Sequence, residues 1–130
     1  MVVIEPNIPG HYNLPGTVEE LRRIEEHVPS EHLHKFGIPG CPGSVNNVLS
    51  HLPAASIFHF AGTSSRSSLL LEDGKLNISQ IMGQPLPHAS LAFLSACDTA
   101  VGDEDLADDA IHLAATMLFA GFRGVVATMR

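Results

Sequence analysis

Cys97 has the most chemistry to offer, because of where it stands. It closes the apolar run Ser90-Leu91-Ala92-Phe93-Leu94-Ser95-Ala96-Cys97, directly before Asp98. A buried strand that ends in a thiol presents the sulfur at the carboxyl edge of an α/β sheet, where such sheets keep their sites. A thiol attacks only as a thiolate, so it needs a lowered pKa or a base within hydrogen-bond reach. The neighbouring strand can be read from a near-repeat. Ala55-Ser56-Ile57-Phe58 and Ala89-Ser90-Leu91-Ala92 open two apolar runs alike. If those openings lie level, the seventh residue beyond each serine is Thr63 in one run and Cys97 in the other. The two would then be neighbours at the carboxyl ends of their strands.

The histidines are less well placed. His59 precedes Thr63 by four residues on the same strand, roughly 13 Å lower at ~3.3 Å per residue. That position reads as a hydrogen-bonded core or sub-site histidine and only weakly as a base. His27, His32 and His34 gather near the first helix without cysteine partners or ligand spacing, so they read as solvated side chains and no metal site is expected. His112 reads as packed or hydrogen-bonded locally on the longest helix. Cys41, between Gly40 and Pro42, reads as an exposed loop thiol.

The elements that must hold these residues are legible from periodicity and punctuation. Pro6, Pro9, Gly10, Pro15 and Gly16 make residues 1–16 a loop-rich segment, with Val2 to Ile4 as the end of a strand. Thr17 followed three residues later by Glu20 fits a capping box. Val18, Leu21, Ile24 and Val28 then recur at helical spacing, which predicts an amphipathic helix over 18–27. Ser44 is placed to cap a second helix that ends at Pro53. Ser56 to Ala61 reads as a buried strand, and Gly62 to Ser68 as a serine-rich loop. Leu69 to Leu76 reads as a hairpin turning on Asp73-Gly74, since that pair tolerates the positive φ of a tight turn. Ser79 to Met82 is a short helical turn, Ser90 to Cys97 a second buried strand and Asp98 to Gly102 a loop. A long helix over 103–120 carries Leu106, Ala110, Leu113, Ala114, Met117 and Leu118 as its apolar face. Gly124 to Met129 is a third buried strand. Helices alternating with continuous apolar strands predict an α/β domain with a mostly parallel central sheet, in which 57–61, 91–96 and 124–129 are central.

Composition bounds the function. The chain has 130 residues, enough for one domain, and 45% hydrophobic residues, as in ordinary globular proteins. With 7 basic and 14 acidic side chains the formal charge is −7. An acidic chain without a basic run is poorly suited to phosphate backbones or anionic membranes, so nucleic acid and membrane are disfavoured as partners. Two cysteines make no disulfide framework, and no basic segment precedes a long apolar one. Free thiols in a reducing, cytoplasmic compartment are expected. No cofactor is implied.

The segment Phe93-Leu94-Ser95-Ala96-Cys97-Asp98-Thr99-Ala100-Val101-Gly102 resembles the nucleophile segment of the CHAT domain family, caspase-like and separase-like cysteine peptidases. The stretch His112 to Met129 and the hairpin Leu70 to Leu76 resemble the same family, especially its fungal members. The resemblance runs from about Thr17 to the C-terminus. It implies a partial caspase-like layered sandwich and a Cys–His dyad, in which a thiolate attacks the scissile carbonyl and a histidine serves as base and acid. Cys97 matches the nucleophile. The dyad histidine is the second His of a His-Phe-Ala-Cys-His-Gly-like motif, which here reads His59-Phe60-Ala61-Gly62-Thr63. Its first histidine is His59; its second is missing, either by loss of a Cys-His pair before Gly62 or by replacement at Thr63, where the level strands put the expected base. The resemblance further implies a domain shorter than is usual for the family, residues 1–130 forming a single incomplete unit. The expected function is a catalytically inactive interaction module with a protein or peptide partner. The alternatives are an active endopeptidase in which Cys97 uses another base, and an incomplete domain whose exposed sheet edge needs a partner or a second copy. Asp98, beside Cys97, is the candidate for a substrate pocket that selects a basic residue. The acids from Asp103 to Asp109 read as a helix N-terminus with a solvated face.

Overall fold

A computed structural model describes residues 1–98 and 103–128; for Cys97, Asp98 and residues 103–107 it describes the backbone alone. Five strands run parallel in the order β2 (Lys35–Phe36), β1 (Val2–Ile4), β3 (Ile57–Ser65), β6 (Leu91–Asp98) and β7 (Gly124–Ala127). Beyond its pairing with β1, β3 turns back into β4 (Ser68–Leu71), which pairs with β5 (Gly74–Asn77). Both of those pairings are antiparallel, so the sheet is mostly parallel, as expected of an α/β chain.

Alternation along β3 sorts the two faces. Phe58 and Phe60 point to the main core, with Val3, Ala92, Leu94, Leu69 and Leu76 from the sheet. That core is closed by α2 (Val45–His51) through Val48, by α3 (Ile78–Met82) through Ile78 and Ile81, and by α4 (Asp103–Ala120) through Leu113 and Met117. The other face carries a smaller cluster of Val2, Ile4, Ala61 and Leu21, closed by α1 (Gly16–His27). One helix cannot cover five strands. Ile57 and Val126 on the α1 side are left 52% and 45% exposed.

Several details depart from the sequence reading. The capping box at Thr17 does not form: α1 begins at Gly16 after Pro15, and the Thr17 hydroxyl donates to the Leu14 carbonyl. Proline at the helix start already fixes a helical φ and has no N–H to satisfy. The serine-rich segment is strand, because β3 continues its ladder with β6 to Ser64↔Asp98 before the hairpin to β4. At the β4–β5 turn no residue but Gly74 has a positive φ, and Gly74 is itself paired with Leu71. The strand at Gly124–Ala127 is an edge strand, with β6 as its one described neighbour. Leu118, assigned to the apolar face of α4, is 49% exposed. Ser44 does cap α2, accepting from the Asn47 amide. Among the described residues no helix is long and apolar enough to cross a membrane.

Candidate functional site

The carboxyl edge of the sheet brings together the two positions that the near-repeat set level. Ile57 pairs with Leu91 and the register holds along both strands, so Thr63 pairs with Cys97 and Ser64 with Asp98. Thr63, Ser64 and Ser95 are buried here. Gly62 precedes them because a side chain would not fit. A Cβ at Gly62 would lie 2.8 Å from the Phe60 ring and 3.2 Å from the Glu5 Cβ. The side chains of Cys97 and Asp98, and of the acids Asp103, Glu104 and Asp105, lie outside the described residues. So do residues 99–102 of the predicted loop and Met129 of the third strand.

α1 runs against the strands, with its first turn over this edge. Leu14, Gly16 and Thr17 close a small cavity of about 150 Å³ against Gly62 and Ser95, with Glu20 on its wall. Glu20, read from sequence as a capping residue, instead reaches the sheet: its Oε1 lies 3.0 Å from His59 Nε2. His59 also stacks on Phe93, the rings nearly parallel with their centroids 4.8 Å apart. His59 therefore faces α1 from the middle of the sheet, level with Phe93 and four positions short of Thr63. Burial pulls the His59 pKa down, the Glu20 carboxylate pulls it up and the Met1 ammonium pulls it down, with a net lowering.

That lowering has a sign. A histidine whose folded pKa lies below its ordinary ~6.5 contributes stability above that value and loses it as the pH falls through the folded one. His59→Phe, which keeps the stack on Phe93, is expected to flatten the acid side of the stability profile. Urea midpoints at about pH 7 and about pH 5 check this, and equal slopes in the two proteins would refute it.

A second, larger cavity of about 600 Å³ opens at the amino ends of the strands, lined by His32, His34, His51, His59, Ile24 and Ile57. It lies at the opposite end of β3 from Thr63. Among the described residues no three His, Cys, Asp or Glu side chains are arranged to hold a metal ion. His32, His34 and His112 are exposed, as is the Cys41 thiol.

Sequence reasoning missed Glu20 and Glu5. Glu20 was absorbed by a local motif, and only the approach of α1 to β3 reveals its partner. Glu5, in the segment read as loop-rich after Ile4, is 3% exposed, as buried as the strand before it. No signal in the sequence marked it, since a charged residue after a strand usually finds water.

Comparison with curated proteins and with solved structures returned no match. Comparison with protein families returned one, the CHAT domain, over residues 4–130. The match spans nearly all of the chain, including both strands that carry Thr63 and Cys97, so the chain belongs to the CHAT domain family and is a homologue of the caspase-like peptidases.

Proposed function

We propose that this CHAT domain serves as a protein- or peptide-binding module and not as a working peptidase. The observation that supports this reading is the pairing of Thr63 with Cys97. A family nucleophile needs a base beside it, and the neighbouring strand offers a hydroxyl there. The histidine that this strand does carry is bonded to Glu20 and stacked on Phe93. It is turned toward α1, four residues away. Asp98 remains the proposed determinant for a basic side chain, from its place beside Cys97 in the chain.

A partner surface supports the binding half of the proposal. Among the described strands β7 lies at one edge of the sheet, and the outer side of α4 exposes Ile111, Leu118 and Phe119, the last at 83%. These residues recur at helical spacing opposite the buried Leu113 and Met117. Self-association through this edge is the second reading, and sedimentation of the purified chain tests it: a folded monomer counts against it.

The alkylation rate of Cys97 against pH, with Cys41 as internal control, tests the first. Alkylation follows the thiolate, and an unperturbed cysteine titrates near ~8.5. Cys97 is expected to titrate no lower than Cys41, and peptides to remain uncleaved. An apparent pKa well below that of Cys41, with cleavage abolished by Cys97→Ser, would establish the endopeptidase instead. Thr63→His is expected to raise the Cys97 rate near neutrality if the fold is kept. No rise in a folded variant removes Thr63 from the base position.

A further inference from the structure

Glu5 is a buried acid that nothing in the candidate dyad uses. Its residue is 3% exposed and its Oε1 is buried without a hydrogen-bond partner. Leaving a carboxylate oxygen so placed is costly when it is charged and far less so when it is protonated. Most of the surroundings disfavour the charge. β1 ends against the β4–β5 turn, whose Glu72 and Asp73 carboxylates both act on Glu5, while the Glu72 backbone amide donates to it. The 37–43 loop brings Gly43, where a Cβ would stand 2.0 Å from Glu5 Oε1. That contact leaves no room for a side chain at position 43. The loop's titratable residue, Cys41, is exposed. β3 brings Gly62 and the Phe60 ring, neither of which titrates. α2 begins at Val45, whose amide is taken by Asp73 Oδ1 at 3.0 Å. Burial, then the charges of Glu72 and Asp73, push the Glu5 pKa up to about 8, against the pull of the Glu72 amide.

We propose that Glu5 is a proton-dependent latch: as a neutral acid it lets the 37–43 loop and the β4–β5 turn close over the end of β1, and on losing its proton it loosens them. The latch sits next to the candidate site. The Glu5 amide donates to the Ala61 carbonyl at 2.9 Å, two residues before Thr63. The segment that follows Glu5 leads to Leu14 and Gly16, which roof the small cavity. The proposal holds whether or not Cys97 is reactive.

The sign follows from linkage. An acid whose folded pKa is raised contributes stability that is full below its unfolded value near ~4.3 and is lost as the pH rises through the folded one. Opening of the loop and turn should therefore grow about tenfold per pH unit up to about pH 8 and level off above it. Hydrogen exchange, corrected for its intrinsic pH dependence, reads this at the Gly37 and Cys41 amides, which are bonded within the loop, and at Glu72. Protection there is expected to fall with pH in the wild type and to stay flat in Glu5→Gln. Equal pH dependence in the two proteins overturns the latch. Should Glu5→Gln not fold, the carboxyl carbon shift of Glu5 in the wild type decides. A midpoint near 8, tracking the loss of protection, upholds the proposal. A midpoint in the ordinary carboxylate range overturns it, as does titration near 8 with unchanged protection at these amides.

Discussion

Gly37→Ala is expected to destabilise the protein by more than about 4 kcal/mol, enough to prevent folding of many domains. Gly37 has φ +84°, and a Cβ there would lie 1.6 Å from the Ile4 carbonyl oxygen and 2.8 Å from its carbon. Both obstacles are backbone of a buried strand and cannot swing aside. Neither can Gly37 retreat, since its amide donates to the Cys41 carbonyl at 2.8 Å. Gly40 supplies the control. It has the same φ of +84° with nothing within 4 Å of its would-be Cβ. Gly40→Ala is expected to cost only the conformational penalty, about 1 kcal/mol. Urea midpoints of the two variants separate the terms. Similar losses in both would mean that φ alone, and not the approach to β1, requires glycine at 37.

Phe60→Ala carries the next largest effect, about 3–5 kcal/mol. Phe60 is fully buried on β3, and its ring fills the space where a side chain at position 62 would go. Removing it opens a cavity under the strand that holds Thr63, and the close-packed neighbours can relax only in part. Phe119→Ala is the counterpart on the surface. At 83% exposure it should change stability by no more than about 0.5 kcal/mol. If the outer side of α4 carries a partner, the same change should weaken binding while leaving the urea midpoint in place. A large loss of stability from Phe119→Ala would show that this side packs within the chain.

The elements that could be read from sequence were those whose stability is local or set by burial alone. α4 spans Asp103–Ala120 as its periodicity predicts, and the Ser44 cap forms. The level placement of Thr63 and Cys97 was legible because parallel strands in register advance equally per residue, so matched openings give matched ends. Local signals failed where a longer-range partner competed. Glu20 leaves its capping role for His59, thirty-nine residues away. The serines after Gly62 look like loop by composition, yet the ladder with β6 and the hairpin with β4 satisfy their backbone better than water-facing turns would.

Family membership, the α/β class and the row that holds Cys97 thus lay in the chain's residue order, because motif and strand period are properties of nearest neighbours. Three things needed the tertiary structure. Among the described strands β7 pairs with β6 alone, which depends on the order of strands and not on the strand's own apolar run. His59 is committed to Glu20 and Phe93, which depends on where α1 crosses the sheet. Glu5 is sealed between Gly43 and the β4–β5 turn, which depends on three distant segments closing on one carboxyl group. A charged residue after a strand usually finds water; only the packing of the whole chain decides that this one does not.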